Sequence, residues 1–309
     1  MFQNFDSASD PSTAKTRVGR LRDWLAAHDL DGFVVPRSDE HQGEYVAPHS
    51  ERLRWLTGFS GSAGVAIILA DKAYIFVDGR YQLQVREQVD LGIFTIENLV
   101  DNPPPAWVGD NLPRGTRLGF DPWLHTIGDV AALKKAAEKI GAELVPLDRN
   151  PIDEIWADQP QPPVEKVEIH PIGFAGELAK DKLARLAEAL TRQGATHCVL
   201  TDPSSIAWAF NIRGRDVPHT PLALGFAILA ADGKHLLFLD ERKLSRSVKA
   251  YLTQLADLRR PDELEAAIVG LAKGKARVAL DPVLAADRLR ALVKDNGGTV
   301  ISEADPARL

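Results

Sequence analysis

The sequence predicts an α/β protein of two similar domains, each a mixed β-sheet with flanking helices. Three observations carry this. The chain of 309 residues contains one ordered set of segments and then repeats it. Gly32-Phe33-Val34-Val35-Pro36, Trp55-Leu56-Thr57-Gly58-Phe59, Val65-Ala66-Ile67-Ile68-Leu69, Tyr74-Ile75-Phe76-Val77-Asp78 and Arg117-Leu118-Gly119-Phe120-Asp121-Pro122 form the first set. They are answered by Thr196-His197-Cys198-Val199-Leu200, Trp208-Ala209-Phe210-Asn211-Ile212, Gly225-Phe226-Ala227-Ile228-Leu229, His235-Leu236-Leu237-Phe238-Leu239-Asp240 and Arg277-Val278-Ala279-Leu280-Asp281-Pro282. The offset is roughly 160 residues, too long a period for a solenoid. Each half also carries a hairpin pattern, and each closes with a strand–helix–strand run that favours parallel pairing through a right-handed crossover. The length itself suits two domains of about 150 residues.

In chain order, residues 1–12 are polar and read as a mobile lead-in. From Thr13 the spacing of Val18, Leu21 and Leu25, with Trp24 beside them, predicts a helix that Asp31-Gly32 stops. Phe33-Val34-Val35 is a short apolar run between turn signals and predicts a buried strand. Residues 65–69 and 73–77 predict a hairpin through Ala70-Asp71-Lys72, after which Asp78-Gly79-Arg80-Tyr81 leads into a helix of about ten residues. Leu118-Gly119-Phe120 and Leu144-Val145-Pro146 predict strands on either side of a helix over 128–140. Pro160, Pro162 and Pro163 mark an extended, semi-rigid linker, so the expected domains are 1–158 and 164–309. The second opens with a helix over 176–192, whose Leu183, Leu186 and Leu190 share a face, and Trp208-Ala209-Phe210 is read as a strand. A hairpin over 226–239 follows, turning at Asp232-Gly233. Helices at 241–253 and 262–272, strand 277–280, helix 283–295 and strand 299–301 complete the repeat.

Composition bounds the function. The hydrophobic fraction of 45% and charged fraction of 26% are ordinary for a globular chain, and a net charge of -6 argues against a non-specific nucleic-acid binder. The one cysteine, Cys198, excludes an internal disulfide and suits a reducing compartment. No charged-then-apolar leader opens the chain and no apolar run approaches a membrane span, so a cytoplasmic location is expected, with neither nucleic acid nor membrane as partner.

Few constellations suggest chemistry. Gly58-Phe59-Ser60-Gly61-Ser62-Ala63-Gly64 is the densest special segment, but it lacks the lysine of a P-loop and a strand, not a helix, follows it. Ser60 and Ser62 each lack one flanking glycine of a nucleophile elbow. The segment reads as a tight loop entering strand 65–69, the alternative being a loop that also faces a ligand. His41, Glu44 and His49 match no metal-ligand spacing and read as an exposed polar loop. Cys198 sits in an apolar run and reads as an inert core thiol. Asp78-Gly79-Arg80-Tyr81 and Asp240-Glu241-Arg242 occupy equivalent places; both read as helix caps, with Arg80 and Tyr81 also suited to gripping a carboxylate or a partner surface. In Asn211-Ile212-Arg213-Gly214-Arg215-Asp216 the two arginines beside the aspartate suit either a structural ion pair or a substrate clamp. No paired carboxylates, triad or cofactor loop emerges, so no catalytic or metal-ligating residue is assigned.

Resemblance adds more. Ser50-Glu51-Arg52-Leu53-Arg54-Trp55 running on through Gly64 resembles the creatinase-type N-terminal domain of Xaa-Pro aminopeptidases, metallopeptidases of family M24. Asp78-Gly79-Arg80-Tyr81, Asp153-Glu154-Ile155-Trp156-Ala157-Asp158-Gln159-Pro160 and Ile206-Ala207-Trp208-Ala209-Phe210-Asn211-Ile212-Arg213-Gly214-Arg215-Asp216 resemble the three-domain aminopeptidase P form, and the match runs in order along essentially the whole chain. The resemblance implies two similar creatinase/prolidase N-terminal domains with a ribonuclease H-like motif. It implies hydrolases that release the residue preceding a proline, using two divalent metal ions, manganese as a rule, in a C-terminal pita-bread domain. Those ligands are two aspartates, a histidine and two glutamates of that third domain, which this chain is expected to lack. Alone it is therefore expected to be inactive, to wall the substrate cleft and to partner its own catalytic domain, a peptide with proline second, and a second subunit in the full-length enzyme. Phe59, Arg80, Tyr81 and Arg213 are the expected cleft-facing residues. The alternative is a free-standing binding or assembly module.

Overall fold

The computed structural model describes residues 11–308; the polar lead-in before Pro11 and the terminal Leu309 lie outside the described residues. The chain forms two compact units. Among the described residues, unit 1 comprises 11–38, 48–122 and 129–161, and unit 2 comprises 39–47, 123–128 and 162–308.

In unit 1 the strands are β1 (Gly32–Pro36), β2 (Gly64–Leu69), β3 (Ala73–Val77), β4 (Phe94–Asn98), β5 (Arg117–Phe120) and β6 (Glu143–Pro146). They form one sheet in the order β4-β3-β2-β1-β5-β6. β2 is antiparallel to both β1 and β3, while β3–β4, β1–β5 and β5–β6 are parallel. The period-2 alternation of the strands divides their side chains between two cores. Phe33, Val35, Ala66, Ile68, Ile75 and Val77 pack on the helices Ala14–Ala27, Arg52–Thr57 and Pro151–Ile155. Val34, Ile67 and Phe76 pack on the opposite side with Trp107 of Pro104–Asn111 and Leu133 of Ile127–Ile140. Each buried Val, Ile, Leu or Phe among these contributes about 1.5–3 kcal/mol.

Unit 2 contains β7 (Glu168–Ile169), β8 (His197–Leu200), β9 (Ile212–Arg213), β10 (Phe226–Ala230), β11 (Leu236–Phe238), β12 (Asp257–Arg259), β13 (Arg277–Leu280) and β14 (Thr299–Ser302). Its six-stranded sheet runs β12-β11-β10-β8-β13-β14, the order of unit 1 with each strand replaced by its repeat; β7 and β9 pair separately. The duplication is therefore one of topology, and the mixed α/β sheet with flanking helices holds in both halves. Leu183, Leu186 and Leu190 of Ala179–Arg192 cover one sheet face, and Leu264, Ile268, Leu289 and Val293 cover the other.

Several local expectations change. The first helix ends at Ala27, and Asp29 turns the chain at a positive φ of 54° before Gly32 opens β1. The helix after Tyr81 is the short Gln84–Gln88, because a 3-10 turn, Gly79–Tyr81, takes up the preceding residues. Trp208-Ala209 ends the helix Pro203–Ala209 instead of forming a strand: Asp202 caps it by accepting from Ser204 N, and Pro203 fills the first turn. Strands β4 and β12 escape the sequence reading because Phe94-Thr95-Ile96-Glu97-Asn98 holds two apolar residues and Asp257-Leu258-Arg259 only one, too few for a clear alternation. The Pro160 end of the linker is held, since His49 Nδ1 donates to Pro160 O at 2.6 Å and Gln159 Nε2 donates to His49 O at 3.0 Å.

Candidate functional site

In unit 1 the special loop begins where the helix Arg52–Thr57 stops. Gly58 caps it at φ 86°, a conformation that costs glycine little. Thr57 Oγ1 donates to Leu53 O and accepts from Phe59 N at 3.0 Å, which turns Phe59 inward. Phe59 is 0% exposed. Its ring meets Tyr81 edge-on at 5.5 Å and lies beneath Gly61, where an added Cβ would come within 2.2 Å of it. Tyr81, half-buried, shares a hydrogen bond with Ser62 Oγ at 2.9 Å. Ser60 N donates to Gln88 Oε1, and Gln88 Nε2 donates back to Ser60 Oγ. The outer side of this loop is thus a row of hydroxyls and amides over an aromatic floor. Arg80, 62% exposed, is paired with Asp78 at 2.7 Å, and its guanidinium carbon lies 5.1 Å from the Tyr81 ring centre. Arg80's hydrogen bonds hold the Asp78 carboxyl below its usual range, and Asp78 also caps Arg80 N. Two of the expected residues, Arg80 and Tyr81, therefore lie together, with Phe59 supporting them from the core.

Unit 2 repeats the frame with different chemistry. Asp240 caps Arg242 N and pairs with the Arg242 side chain at 2.6 Å; those hydrogen bonds pull its carboxyl down to about 2. Lys243 stands where unit 1 has Tyr81. Its Nζ meets Asp216 Oδ2 at 2.7 Å, with the side chains 6% and 0% exposed. Asp216 also accepts from Glu165 N and Leu224 N. The ion pair expected between Asp216 and its neighbouring arginines is therefore made with Lys243 instead. Arg213 donates from Nη1 to Ala207 O at 3.3 Å and Ile212 O at 2.8 Å, and among the described residues it forms no ion pair.

Sequence reasoning passed over Lys182 and Asn211. Lys182 is 2% exposed. Its Nζ donates to Trp208 O at 3.0 Å and Asn211 Oδ1 at 2.8 Å and lies 4.6 Å from the Trp208 ring centre. Burial lowers its affinity for the proton, partly opposed by Glu177. In unit 1 Arg17 lies over Trp55 at 4.7 Å in the same way. The repeat alignment held the signal, since it sets Asn211 opposite Gly58 and both adopt positive φ, 49° and 86°.

The histidines do not assemble. His41, in unit 2, is buried: its Nδ1 donates to Thr201 O at 3.0 Å and its ring stacks on Phe226 at 4.5 Å, which corrects the expected exposed loop. His49 belongs to unit 1. Among the described residues no group of three or more His, Cys, Asp or Glu side chains is positioned to hold a metal ion. Cys198 is buried, and burial pushes its thiol far above the ordinary range, leaving it a core group.

One polar difference between the repeats is testable. After β6, Asn150 Nδ2 donates to Asp121 at 2.9 Å and Asn150 Oδ1 caps Ile152 N. After β14, Asp305 takes that place: Asp305 N donates to Asp281, and its own carboxylate caps Ala307 N. Asp305 is 4% exposed, and burial, then Asp202 and Asp281, raise its pKa, opposed by Ser205 and the Ala307 N–H. A carboxyl raised on folding costs nothing below its unfolded pKa, and the penalty accumulates as pH climbs to the folded value. Asp305→Asn should therefore raise stability at neutral pH, where the buried carboxylate would be ionised. The gain should vanish below the ordinary aspartate range; urea titrations across pH would refute this if the gain were independent of pH.

Comparison with known families follows this geometry. Residues 17–155 match the family model described as Creatinase/Prolidase N-terminal domain, and residues 158–309 match a second model with the same description. The chain belongs to the creatinase/prolidase N-terminal domain family. Each unit of this family member carries one sheet of the shared order. It is 36% identical over 252 residues to a probable Xaa-Pro aminopeptidase P of Neosartorya fischeri, covering 80% of this chain and 38% of that protein. It is 36% identical over 240 residues to aminopeptidase P1 of Lotus japonicus, covering 77% and 36%. The family member thus spans well under half the length of these relatives. A solved X-prolyl aminopeptidase of Caenorhabditis elegans, described as a cytosolic enzyme with a di-nuclear active site, superposes with a TM-score of 0.87 at 25% identity, covering 94% of this chain and 50% of that one.

Proposed function

We propose that this chain is the non-catalytic N-terminal portion of a metal-dependent Xaa-Pro aminopeptidase, walling the substrate cleft and supporting assembly with the catalytic part. The observation that carries this reading is the match of both halves to an N-terminal domain family, beside relatives named as Xaa-Pro aminopeptidases of which the chain covers 38%. The division into two domains at the linker, 1–158 and 164–309, belongs to the same proposal, as does a cytosolic setting, for which the Caenorhabditis elegans enzyme is the support.

On this reading the two divalent ions belong to a C-terminal catalytic domain, and no step is assigned to side chains of this chain. Its work is to hold the peptide. Arg80, Tyr81 and Arg213 are the proposed cleft-facing groups, with Phe59 fixing the position of Tyr81. Arg80 and Tyr81 offer a cation over a ring, beside the hydroxyls of Ser60 and Ser62. Such groups preorient a substrate with proline second and so reduce the orientation entropy lost on reaching the metals. A homodimer of the intact enzyme is part of the proposal.

The purified chain, supplied with manganese, is expected to release no arginine from Arg-Pro-Pro above the buffer rate. Sustained turnover that disappears with chelation would overturn the proposal.

A further inference from the structure

Beside Asp305, the buried carboxylate that stands where the first repeat has Asn150, unit 2 opens into a cavity. Strands β8, β13 and β14 run parallel, so their carboxyl ends lie on one edge of the sheet. Open α/β sheets take their ligands outside such ends. The cavity there has a volume of about 410 Å³, with Asp281 and Val283 after β13, Glu303 and Asp305 after β14, and Arg308 among its lining residues. Val283 is 72% exposed and gives it an apolar wall.

Asp305 is the buried anion of this lining. Its Oδ1 accepts from Ala307 N at 2.8 Å, and among the described residues no cationic side chain pairs with it. The Ser205 hydroxyl, from the helix Pro203–Ala209, faces the same carboxyl; it is buried and closes no hydrogen bond of ordinary length. The neighbouring carboxylates are engaged by other donors. Asp281 accepts from Val283 N and Asp305 N, and Asp202 accepts from Ser204 N and Ser204 Oγ. Both add like charge to the burial that already opposes ionisation of Asp305. Arg308 is exposed and, among the described residues, enters no ion pair.

The first repeat shows that this frame does not require a charge. Asn150 bonds Asp121 and caps Ile152 N with a neutral amide. Asp305 makes the equivalent cap to Ala307 N but adds an anion that burial and two like charges oppose. An ionisable group held at such a cost beside a cavity, where an amide serves in the other copy, marks a place for a cation. Direct metal coordination is the poorer match, because among the described residues no group of three or more His, Cys, Asp or Glu is positioned to hold an ion. A guanidinium needs no such convergence. It is planar, weakly hydrated and rich in donors, and it reaches acceptors spread along a wall while its methylene stem lies on apolar surface.

We propose that the cavity at the carboxyl ends of β13 and β14 is a binding site for a guanidinium group, with Asp305 as its counter-ion, Glu303 as a second acceptor and Val283 against the aliphatic stem. None of Phe59, Arg80, Tyr81 or Arg213 lines it, and its test needs no peptidase activity, so the site stands or falls separately from the cleft.

The test is a titration of the nitrogen-15-labelled full chain, followed by TROSY spectra, with two guanidinium probes: agmatine and the peptide acetyl-Gly-Arg-Gly-amide. Both should shift backbone amides within 281–284 and 302–305 saturably. The tighter of the two identifies the source, a free guanidine or an arginine side chain of a polypeptide. The citrulline version of the peptide keeps the shape, loses the charge and should not bind. Asp305→Asn should weaken the preferred probe by at least about tenfold while raising the urea midpoint at neutral pH, opposite movements that damage to the fold cannot produce. Glu303→Gln, at an exposed position, should weaken it by about twofold to threefold and reduce its salt dependence. Absence of saturable shifts at these amides, equal binding of the citrulline peptide, or indifference to Asp305→Asn would overturn the proposal. So would manganese shifting the same amides at lower concentration than either guanidinium probe.

Discussion

Lys243→Met is expected to lower the stability of the chain by about 3–5 kcal/mol, the cost of leaving a buried charge without its partner. The Asp216 carboxylate has a side-chain exposure of 0% and is satisfied by Lys243 Nζ at 2.7 Å together with the Glu165 and Leu224 amides. Removing the ammonium leaves the two amides as its remaining described partners, too little to hold an anion away from water. Asp216→Asn in the same chain removes the orphaned charge and retains an acceptor for one amide. The double variant should therefore be more stable than Lys243→Met alone. Urea denaturation of the single and double variants decides the matter: additive losses, or a single loss below about 1 kcal/mol, would show that the pair is not what holds the loop ahead of β10.

Phe59→Ala should cost about 3–5 kcal/mol, as expected when a fully buried aromatic leaves a cavity. The ring is 0% exposed and supports both Gly61 and Tyr81. A backbone turn roofed by glycine cannot collapse into the space without breaking the Ser60–Gln88 and Ser62–Tyr81 hydrogen bonds. Phe59→Leu fills most of the volume and should cost less than half as much. The same urea measurement would refute this if alanine and leucine behaved alike. A large loss for alanine would also mean that any kinetic effect of this variant in an intact peptidase reports on Tyr81 and on folding, and not on a ring touching the substrate.

Much of the architecture was legible from local pattern. Phe33-Val34-Val35 and the hairpin runs are short, apolar and bounded by turn residues, so their strands needed no tertiary knowledge. Repetition of the pattern then gave the second sheet. The signal weakened at Asp257-Leu258-Arg259, an edge strand with a single apolar residue, and at Trp208-Ala209, where three apolar residues in a row fit helix and strand alike until the Asp202–Pro203 cap is recognised. The site was legible in outline only. The Asp78–Arg80 and Asp240–Arg242 caps follow from spacing of two residues, whereas a loop rich in glycine gives no means of telling a ring that meets a ligand from one that fills the room beneath Gly61.

By itself the sequence determined the duplicated α/β organisation, because burial periodicity and turn chemistry are local and survive divergence between the halves, while the family entered through the resemblance of motifs such as residues 50–64. The tertiary structure alone decided which charges meet. Asp216 finds Lys243 across 27 residues, although Arg213 and Arg215 stand much nearer in the chain, and the Lys182 ammonium is satisfied by the neutral amide oxygen of Asn211 across 29. Ionic partners are chosen by shared burial and not by proximity in sequence, since a charge removed from water must be satisfied by whatever the fold brings within reach.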